Sequence, residues 1–406
     1  MKKHFNFAAI AIFIILLLTF NASSTVHRRE ITNLELVHIV GMDTGRAQPG
    51  DISFTILRNT VTGSDGSSGS GDSEGDMSSN QKILTVEAPS YDRAFRMAQT
   101  YTDKQFSGTH IGFFLLGEEA ARQDIRRHLD YVLRNNEIRL NSKPFVIRGM
   151  TAEEFLRQAG KGSYDLNEVL RSTENNNMHL GFTGTTLLVD AMRMLSEEPY
   201  VTVLPAAQLV GFDEEEKGGG EEGEKKEPSN VMLNGYGVVK EGKLIGYLEN
   251  EAARAYNIVT NRLTTTNLDI PLESGGYVSF GIAHCESRME FEMDGDEIRR
   301  VVIRVETRSN FDEVTAHGKG VFEEEAIRRL EEKQEQKLTE QLEALIGESK
   351  RMRADFLGVC GAFRLQHPYR FRGMESGWND RIAGLEIVPE VRVHIQRTLD
   401  TVGTND

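Results

Sequence analysis

Apolar and polar residues alternate with the two-residue period of a half-buried β-strand at several places in the chain. The stretch 52–57 is a clear case, because Ile and Phe alternate there with Ser and Thr. The run 108–117 is apolar on both faces of the predicted strand, which indicates a central position in a sheet. Further strands are predicted at 83–86, at 142–148, at 200–204 (closed by Pro205) and at 385–397.

Two pairs of alternating stretches predict β-hairpins with a glycine in the turn. Glycine supplies the positive φ that tight hairpin turns need, so these pairs are strong local signals. Residues 231–240 and 243–248 flank Glu241-Gly242, and residues 288–293 and 300–305 flank Asp294-Gly295.

Apolar residues at helical spacing predict four helices. Ser90 is a suitable N-cap for a helix that runs to Tyr101, and Thr151 begins another with the Thr-x-x-Glu spacing of a capping box. An amphipathic helix is predicted at 118–133, and the longest helix at 323–346. The charged side of the longest helix is either a solvated face or a docking face for another subunit. Strands that alternate with helices make the first half an α/β or α+β domain.

Two polar segments divide the chain. The segment 63–81 is rich in Gly, Ser and Asp, and 211–228 in Glu, Lys and Gly. Neither can bury enough apolar surface to offset the entropy of ordering, so we predict a disordered insert and an acidic low-complexity linker. The predicted domains are then an α/β domain at 27–210, a middle β-hairpin domain at 229–290 and an α/β domain at 291–406. Alternatively, the first two domains share one sheet, because predicted strands flank the linker.

Residues 1–24 have the three parts of an export signal. Lys2 and Lys3 precede an apolar run at 7–20, and small polar residues follow it. As a helix the run would be roughly 21 Å long, against about 30 Å for the apolar part of a bilayer. We therefore expect an export signal that is cut near residue 24 rather than an uncleaved N-terminal anchor, and an extracytoplasmic protein.

Composition excludes some partners. The chain has 62 acidic and 47 basic residues and a net charge of −15, which disfavours nucleic acid as the main partner. Cys285 and Cys360 are the two cysteines. Free buried thiols are favoured over a disulfide, and the sequence leaves their pairing open.

No motif predicts a catalytic, metal or cofactor site. The ten histidines are scattered and do not follow a metal-ligand spacing. His284 adjoins Cys285, but neighbours in a strand point to opposite faces, so they do not form a nucleophile–base pair. His110 lies in an apolar run and is predicted to be a core histidine rather than a ligand. We expect a protein that is not an enzyme and holds no cofactor.

Several short motifs, in their order and spacing, resemble the Ger(x)C family, the C subunits of bacterial spore germinant receptors. The resemblance extends over most of the chain after residue 27. The motifs are Arg28-Arg29-Glu30-Ile31, Val40-Gly41-Met42-Asp43, Thr109-His110-Ile111, Leu115-Leu116-Gly117-Glu118, Asn136-Glu137-Ile138-Arg139, the glycine-containing hairpin with Gly235 and Gly246, Ala354-Asp355-Phe356-Leu357-Gly358, His367-Pro368, Trp378-Asn379 and the closing residues 391–398.

The resemblance implies a three-domain mixed α/β (α+β) protein, with mixed sheets flanked by helices, on the outer face of the spore inner membrane. It also implies partners: an integral membrane A-type subunit, a second, B-type integral subunit, and a nutrient germinant sensed by the complex. Family members usually carry a lipobox cysteine, but here no cysteine precedes Cys285. Membrane retention is therefore expected to depend on the partner subunits.

The sequence thus predicts a non-catalytic receptor subunit whose motif residues serve structure or partner contact. Phe356 and Leu357 should be buried, and Asp355 should cap or hydrogen-bond the local backbone. The main alternative is an exported solute-binding protein that contacts a small nutrient directly. A cell-envelope hydrolase is a further alternative.

Overall fold

The computed structural model describes residues 34–59, 81–160, 165–211, 230–273, 275–315, 322–374 and 376–396. The predicted export signal, Arg29, Glu30, nearly all of the two polar segments and Thr398 lie outside these ranges.

Strands make up much of the described chain and fall into two groups, before and after residue 260. They are β1 (Leu34–Thr44), β2 (Ile52–Asn59), β3 (Gln81–Ala88), β4 (Gln105–Ser107), β5 (Phe113–Gly117), β6 (Lys143–Ile147), β7 (Val201–Val210), β8 (Asn230–Lys240), β9 (Lys243–Leu248), β10 (Thr266–Pro271), β11 (Tyr277–Asp294), β12 (Glu297–Val314) and β13 (Glu386–Gln396).

The helices lie between the strands. They are α1 (Tyr91–Gln99), α2 (Glu118–Gln123), α3 (Ile125–Arg134), α4 (Ala152–Ala159), α5 (Leu166–Leu180), α6 (Leu188–Ser196), α7 (Asn250–Val259), α8 (Glu324–Met352), α9 (Val359–Gln366), α10 (Pro368–Phe371) and α11 (Trp378–Gly384), with a short 3₁₀ turn at Gly108–His110.

In the described chain, the first sheet has nine strands in the order β3-β2-β1-β5-β6-β7-β8-β9, with β4 beside β1. Its centre, β1-β5-β6-β7, is parallel, and its two flanks are antiparallel. The hairpin β8–β9 therefore belongs to the first sheet, as the shared-sheet alternative predicted. The division into three domains stays a prediction.

The second sheet has the order β10-β11-β12-β13 in the described residues. Its long hairpin β11–β12 is antiparallel, whereas β13 returns parallel to β12. Both sheets are mixed and flanked by helices, so the predicted mixed α/β class is confirmed.

Three buried clusters form the core of the described part of the chain. Met42 and Phe114 belong to the cluster on one face of the first sheet, and Leu115 and Phe145 to the cluster on the other face. The third cluster joins β7–β9 to the second sheet, α7 and α8; Val203, for example, belongs to it. The two sheets consequently pack on one continuous apolar core.

Helix α8 reaches both edge strands of the second sheet. On one edge, the backbone N–H groups of Ile395 and Val393 in β13 donate to the carboxylates of Glu331 (2.9 Å) and Glu335 (3.0 Å). On the other edge, Lys337 Nζ donates to the carbonyl of Asp269 in β10, at 3.0 Å. These side chains bond backbone groups that an edge strand would otherwise leave free.

Most of the predicted elements are present. Ser90 accepts from Arg93 N, Thr151 forms the predicted capping box with Glu154, and both hairpins form. The second hairpin is much longer than predicted, and its turn is Gly295–Asp296 rather than Asp294–Gly295, because Asp294 pairs with Glu297.

Three predictions about element bounds are wrong. The run 108–117 is a strand only from Phe113, because Gly112 N donates to the carbonyl of His38 (2.9 Å) and the preceding residues turn. The helix at 118–133 breaks at Asp124, whose side chain caps α3. Pro205 does not end β7; a bulge between Pro205 and Ala207 accommodates it.

Candidate functional site

Asp43, at the end of β1, is bound to the start of α4. Its two carboxylate oxygens accept from the N–H groups of Ala152 (2.8 Å) and Glu153 (3.0 Å). A helix N-terminus stabilises a carboxylate in this way. Burial raises the pKa of Asp43 to about 6, although these two hydrogen bonds act in the opposite direction.

Gly117 leaves the space that this contact needs. A Cβ at Gly117 would lie 1.9 Å from Asp43 Oδ1. The next residue, Glu118, accepts from Gly149 N at 2.6 Å and from Arg122. Burial raises the pKa of Glu118, but these two partners more than offset that effect and bring it below its ordinary value.

These motif residues lie at the carboxyl ends of parallel strands β1 and β5, where open α/β sheets usually bind ligands. Here the anion position at the start of α4 is already filled by the protein's own Asp43. The cluster of Asp43, Gly117 and Glu118 therefore connects strands β1 and β5 to helix α4 within the protein.

Asp355 organises the second motif cluster, beyond the end of α8. Its carboxylate accepts from the N–H groups of Gly358 (3.0 Å), Val359 (3.0 Å) and Cys360 (2.6 Å). The indole N–H of Trp378 also donates to it, at 2.8 Å. Burial raises the pKa of Asp355, and these four donors oppose that shift. The prediction that Asp355 bonds the local backbone is confirmed.

Aromatic packing surrounds the Asp355 cluster. Phe356 and Leu357 are buried, as predicted, and Trp378 is 1% exposed. Trp378 stacks on Phe363 at 6.0 Å between ring centroids, and His367 packs against the same phenyl ring at 5.1 Å. Pro368 is exposed as the first residue of α10.

The Asp355 cluster binds the loop between α6 and β7, so it joins the two sheets. Asn379 Nδ2 donates to Pro199 O at 2.7 Å, and the Cys360 thiol donates to Glu198 O at 3.7 Å. A cavity of about 450 Å³ lies beside this junction, lined in part by Phe356 and Leu357. The sequence did not identify the loop 197–199 as part of the cluster; Pro199 directly before a strand was the available signal.

Two motif glycines lie on the hairpin β8–β9. Gly235 has φ of 75°, and a Cβ there would lie 1.9 Å from the carbonyl oxygen of Leu248. A Cβ on Gly246 would lie 2.8 Å from Met352 Cε, at the end of α8. Both glycines therefore permit close packing.

A second cavity, of about 570 Å³, was not predicted. It lies at the amino ends of β5 and β6 and is covered by α5. His110 lines it and is exposed, so the prediction of a core histidine is wrong. His110 is the last residue of the 3₁₀ turn Gly108–His110 and lies outside the sheet. Its other polar lining residues include His38, Arg139, Lys143, Asn167, Arg171 and Glu174.

The described residues offer little nucleophilic or metal-binding chemistry. Among them, no group of three or more His, Cys, Asp or Glu is placed to hold a metal ion. Cys285 and Cys360 are both free, and burial raises the pKa of each thiol to about 12. Both are therefore protonated at neutral pH and weakly nucleophilic. No helix in the described part of the chain is both long and apolar enough to cross a membrane.

Comparison with known proteins identifies the family. The chain matches "Spore germination protein N-terminal domain" over residues 27–209 and "Spore germination B3/ GerAC like, C-terminal" over residues 234–399. The crystal structure of the GerBC protein has the same fold, with a TM-score of 0.53 and 14% identity over 88% of this chain and 96% of that chain. No match was found among curated proteins. Because the two family matches together span most of the sequence, the chain belongs to the GerAC-like family of spore germination proteins.

Proposed function

We propose that this chain is a non-catalytic subunit of a membrane-bound spore germinant receptor. It acts with integral membrane A-type and B-type subunits, on the outer face of the spore inner membrane, in sensing a nutrient and starting germination. The family match over residues 27–209 and 234–399 carries this proposal.

The use of the motif residues supports a structural rather than a catalytic role. Asp43 and Asp355 are 4% and 3% exposed, and their oxygens accept from backbone N–H groups. A general acid or base must instead reach a substrate atom within hydrogen-bond distance. These carboxylates hold helices in place, which suits a subunit that presents a rigid surface to partners.

The decisive experiment combines a genetic and a biochemical measurement. Spores that lack this chain should lose nutrient-triggered germination for one class of nutrient and regain it when the chain is restored. Germination by a trigger that bypasses nutrient receptors should be unchanged in the same spores. Germination at the normal rate with every nutrient would overturn the proposal.

The partners are tested in the same spores. A tagged chain, solubilised from spore membranes in mild detergent, should co-purify with two integral membrane proteins. The matched control is a tagged exported protein of unrelated fold from the same membranes. Recovery of the tagged chain without integral membrane proteins would contradict the proposed partnership.

A further inference from the structure

The cavity at the amino ends of β5 and β6 has the size of a small-molecule site. Its volume is about 570 Å³, within the range of roughly 300–1,000 Å³ that ligand pockets occupy. Residues from β1, from the loops before β5 and β6, and from α5 line it. Four separate segments of the chain therefore meet at this cavity.

The charge of the cavity differs in sign from that of the whole chain. Its described lining carries three basic side chains, Arg139, Lys143 and Arg171, and one acidic side chain, Glu174. Lys143 is paired with Glu174, which also accepts from Thr185 Oγ1 at 2.5 Å. The pair neutralises itself, so the guanidinium groups give the lining an excess of two positive charges in a chain of net charge −15.

One of the two histidines of the cavity, His38, adds little charge. His38 and His110 lie edge to face with ring centroids 6.1 Å apart. Burial lowers the pKa of His38 below its ordinary value, with Asp165 acting in the opposite direction. His38 therefore adds little to the positive charge that the arginines supply to a ligand.

A buried amide oxygen supplies a second, independent observation. Asn167 Oδ1 is buried and has no hydrogen-bond partner among the described residues. Such an orphaned acceptor is unfavourable unless a donor reaches it. Asn167 Oδ1 and Arg171 Nη2 lie near the same point of the lining, since a Cβ on Gly112 would be 3.7 Å from the first and 3.6 Å from the second.

We propose that this cavity binds a small organic anion that carries a carboxylate or phosphate group together with a hydroxyl or amino group. The oxyanion pairs with Arg139 and Arg171, since guanidinium groups bind carboxylate and phosphate in a two-pronged geometry. The hydroxyl or amino group donates to Asn167 Oδ1. Lys143 and Glu174 hold each other in place and line the cavity as a neutral pair. This site does not depend on the proposed receptor function.

The test is binding to the purified full chain, measured by calorimetry and by the thermal midpoint. The probes are L-malate and glycerol 3-phosphate, which carry both required groups. Acetate lacks the donor, and glycerol lacks the charge. We expect saturable binding of at least one two-group probe, at least tenfold tighter than acetate or glycerol. Tighter binding of L-malate would indicate a carboxylate ligand, and tighter binding of glycerol 3-phosphate would indicate a phosphate ligand.

Variants locate the site. Arg171→Gln and Arg139→Gln should each weaken binding at least tenfold, and Asn167→Leu should remove the preference for probes with a donor. The matched control is Arg134→Gln, an exposed arginine of α3 outside the cavity, which should bind as the unchanged chain does. The proposal is overturned if neither two-group probe binds, or if the Arg139→Gln and Arg171→Gln variants bind as tightly as the unchanged chain. It is also overturned if potassium chloride at the same ionic strength shifts the thermal midpoint as much as the probes do.

Discussion

The Asp43 cluster and the Asp355 cluster both hold the start of a helix, but the residues they connect lie at different distances along the chain. In each, a buried aspartate accepts from backbone N–H groups at the start of a helix, and a glycine adjoins it. Asp43 bonds to Ala152 and Glu153, more than a hundred residues away. Asp355 bonds to residues 358–360, directly after it, and to Trp378.

The glycine in each cluster is required for a different physical reason. Gly117 has ordinary φ of −59° but lacks room, because a Cβ would meet Asp43 at 1.9 Å. Gly358 has room, with nothing within 4 Å of its Cβ position, but its φ of 85° is left-handed. One buried carboxylate therefore adjoins a glycine required for tertiary packing, and the other adjoins a glycine required for backbone conformation. Replacing each glycine by alanine should therefore lower the free energy of unfolding by different amounts.

The largest effect is expected from Asp355→Ala. It leaves four donors without their acceptor in a site that is 3% exposed, which should lower the free energy of unfolding by about 5 kcal/mol. Urea denaturation measures it. The control is Asp380→Ala, whose side chain is 78% exposed and paired with Arg353, and which should cost less than about 1 kcal/mol. Similar midpoints for the two variants would show that the Asp355 hydrogen bonds contribute little.

Gly117→Ala should follow, at about 4 kcal/mol. The added methyl displaces Asp43 from the start of α4 and overpacks the site, so both charge-assisted hydrogen bonds are lost. The double variant Gly117→Ala/Asp43→Ala provides the check in the same denaturation assay. It should be only slightly less stable than Asp43→Ala alone, since the added methyl group then no longer meets the Asp43 carboxylate and its remaining close contact is Ala152 N, at 3.1 Å. If the double variant were much less stable than Asp43→Ala, the effect of Gly117→Ala on stability would not arise from the contact with the Asp43 carboxylate.

Asp43→Asn should change the pH dependence of stability. The raised pKa of about 6 means that Asp43 stabilises the fold below about pH 4 and loses that contribution as pH rises through 6. His128 acts in the opposite sense: burial lowers its pKa to about 4, so its contribution is present above pH 6.5 and is lost as pH falls. The two contributions oppose each other between pH 4 and 6.

Removing Asp43 ionisation leaves the His128 contribution unopposed by Asp43. Asp43→Asn should therefore lose about 2 kcal/mol more stability than the unchanged chain when pH falls from 7 to 4, from a shift of about two pKa units. Denaturation midpoints at both pH values measure this difference. Equal differences between the two proteins at pH 7 and pH 4 would rule out a raised pKa at Asp43.

The smallest effect is expected from Gly358→Ala, at about 1 kcal/mol. Its cost is that of a left-handed backbone alone, since the methyl group meets no atom within 4 Å. Gly358→Asn should cost less, because asparagine tolerates this conformation better. If Gly358→Ala were as damaging as Gly117→Ala, the distinction between the two glycines would fail.

The contrast between contacts of nearby residues and contacts of residues far apart in the chain explains what the sequence could predict. The Asp355 turn, the capping box at Thr151 and the hairpins depend on residues a few positions apart, and the pattern predicted all of them. The partner of Asp43 depends on which strands lie side by side, and residue spacing does not encode that order. The 570 Å³ cavity is lined from four separate segments, and residue spacing does not show that these segments meet. His110 was misread because a glycine-bounded turn interrupts an otherwise apolar run.

Helix α8 has a consequence for how this protein associates with others. Glu331 and Glu335 bond the outward N–H groups of β13, and Lys337 bonds a carbonyl of β10. An incoming strand, from a second copy or from a fibril, would have to displace these side chains before it could extend the second sheet. Since α8 precedes β13 in the chain, its carboxylates are already present when that strand is made. The second sheet is thus protected against templated growth at both edges, and recognition there has to proceed through side chains.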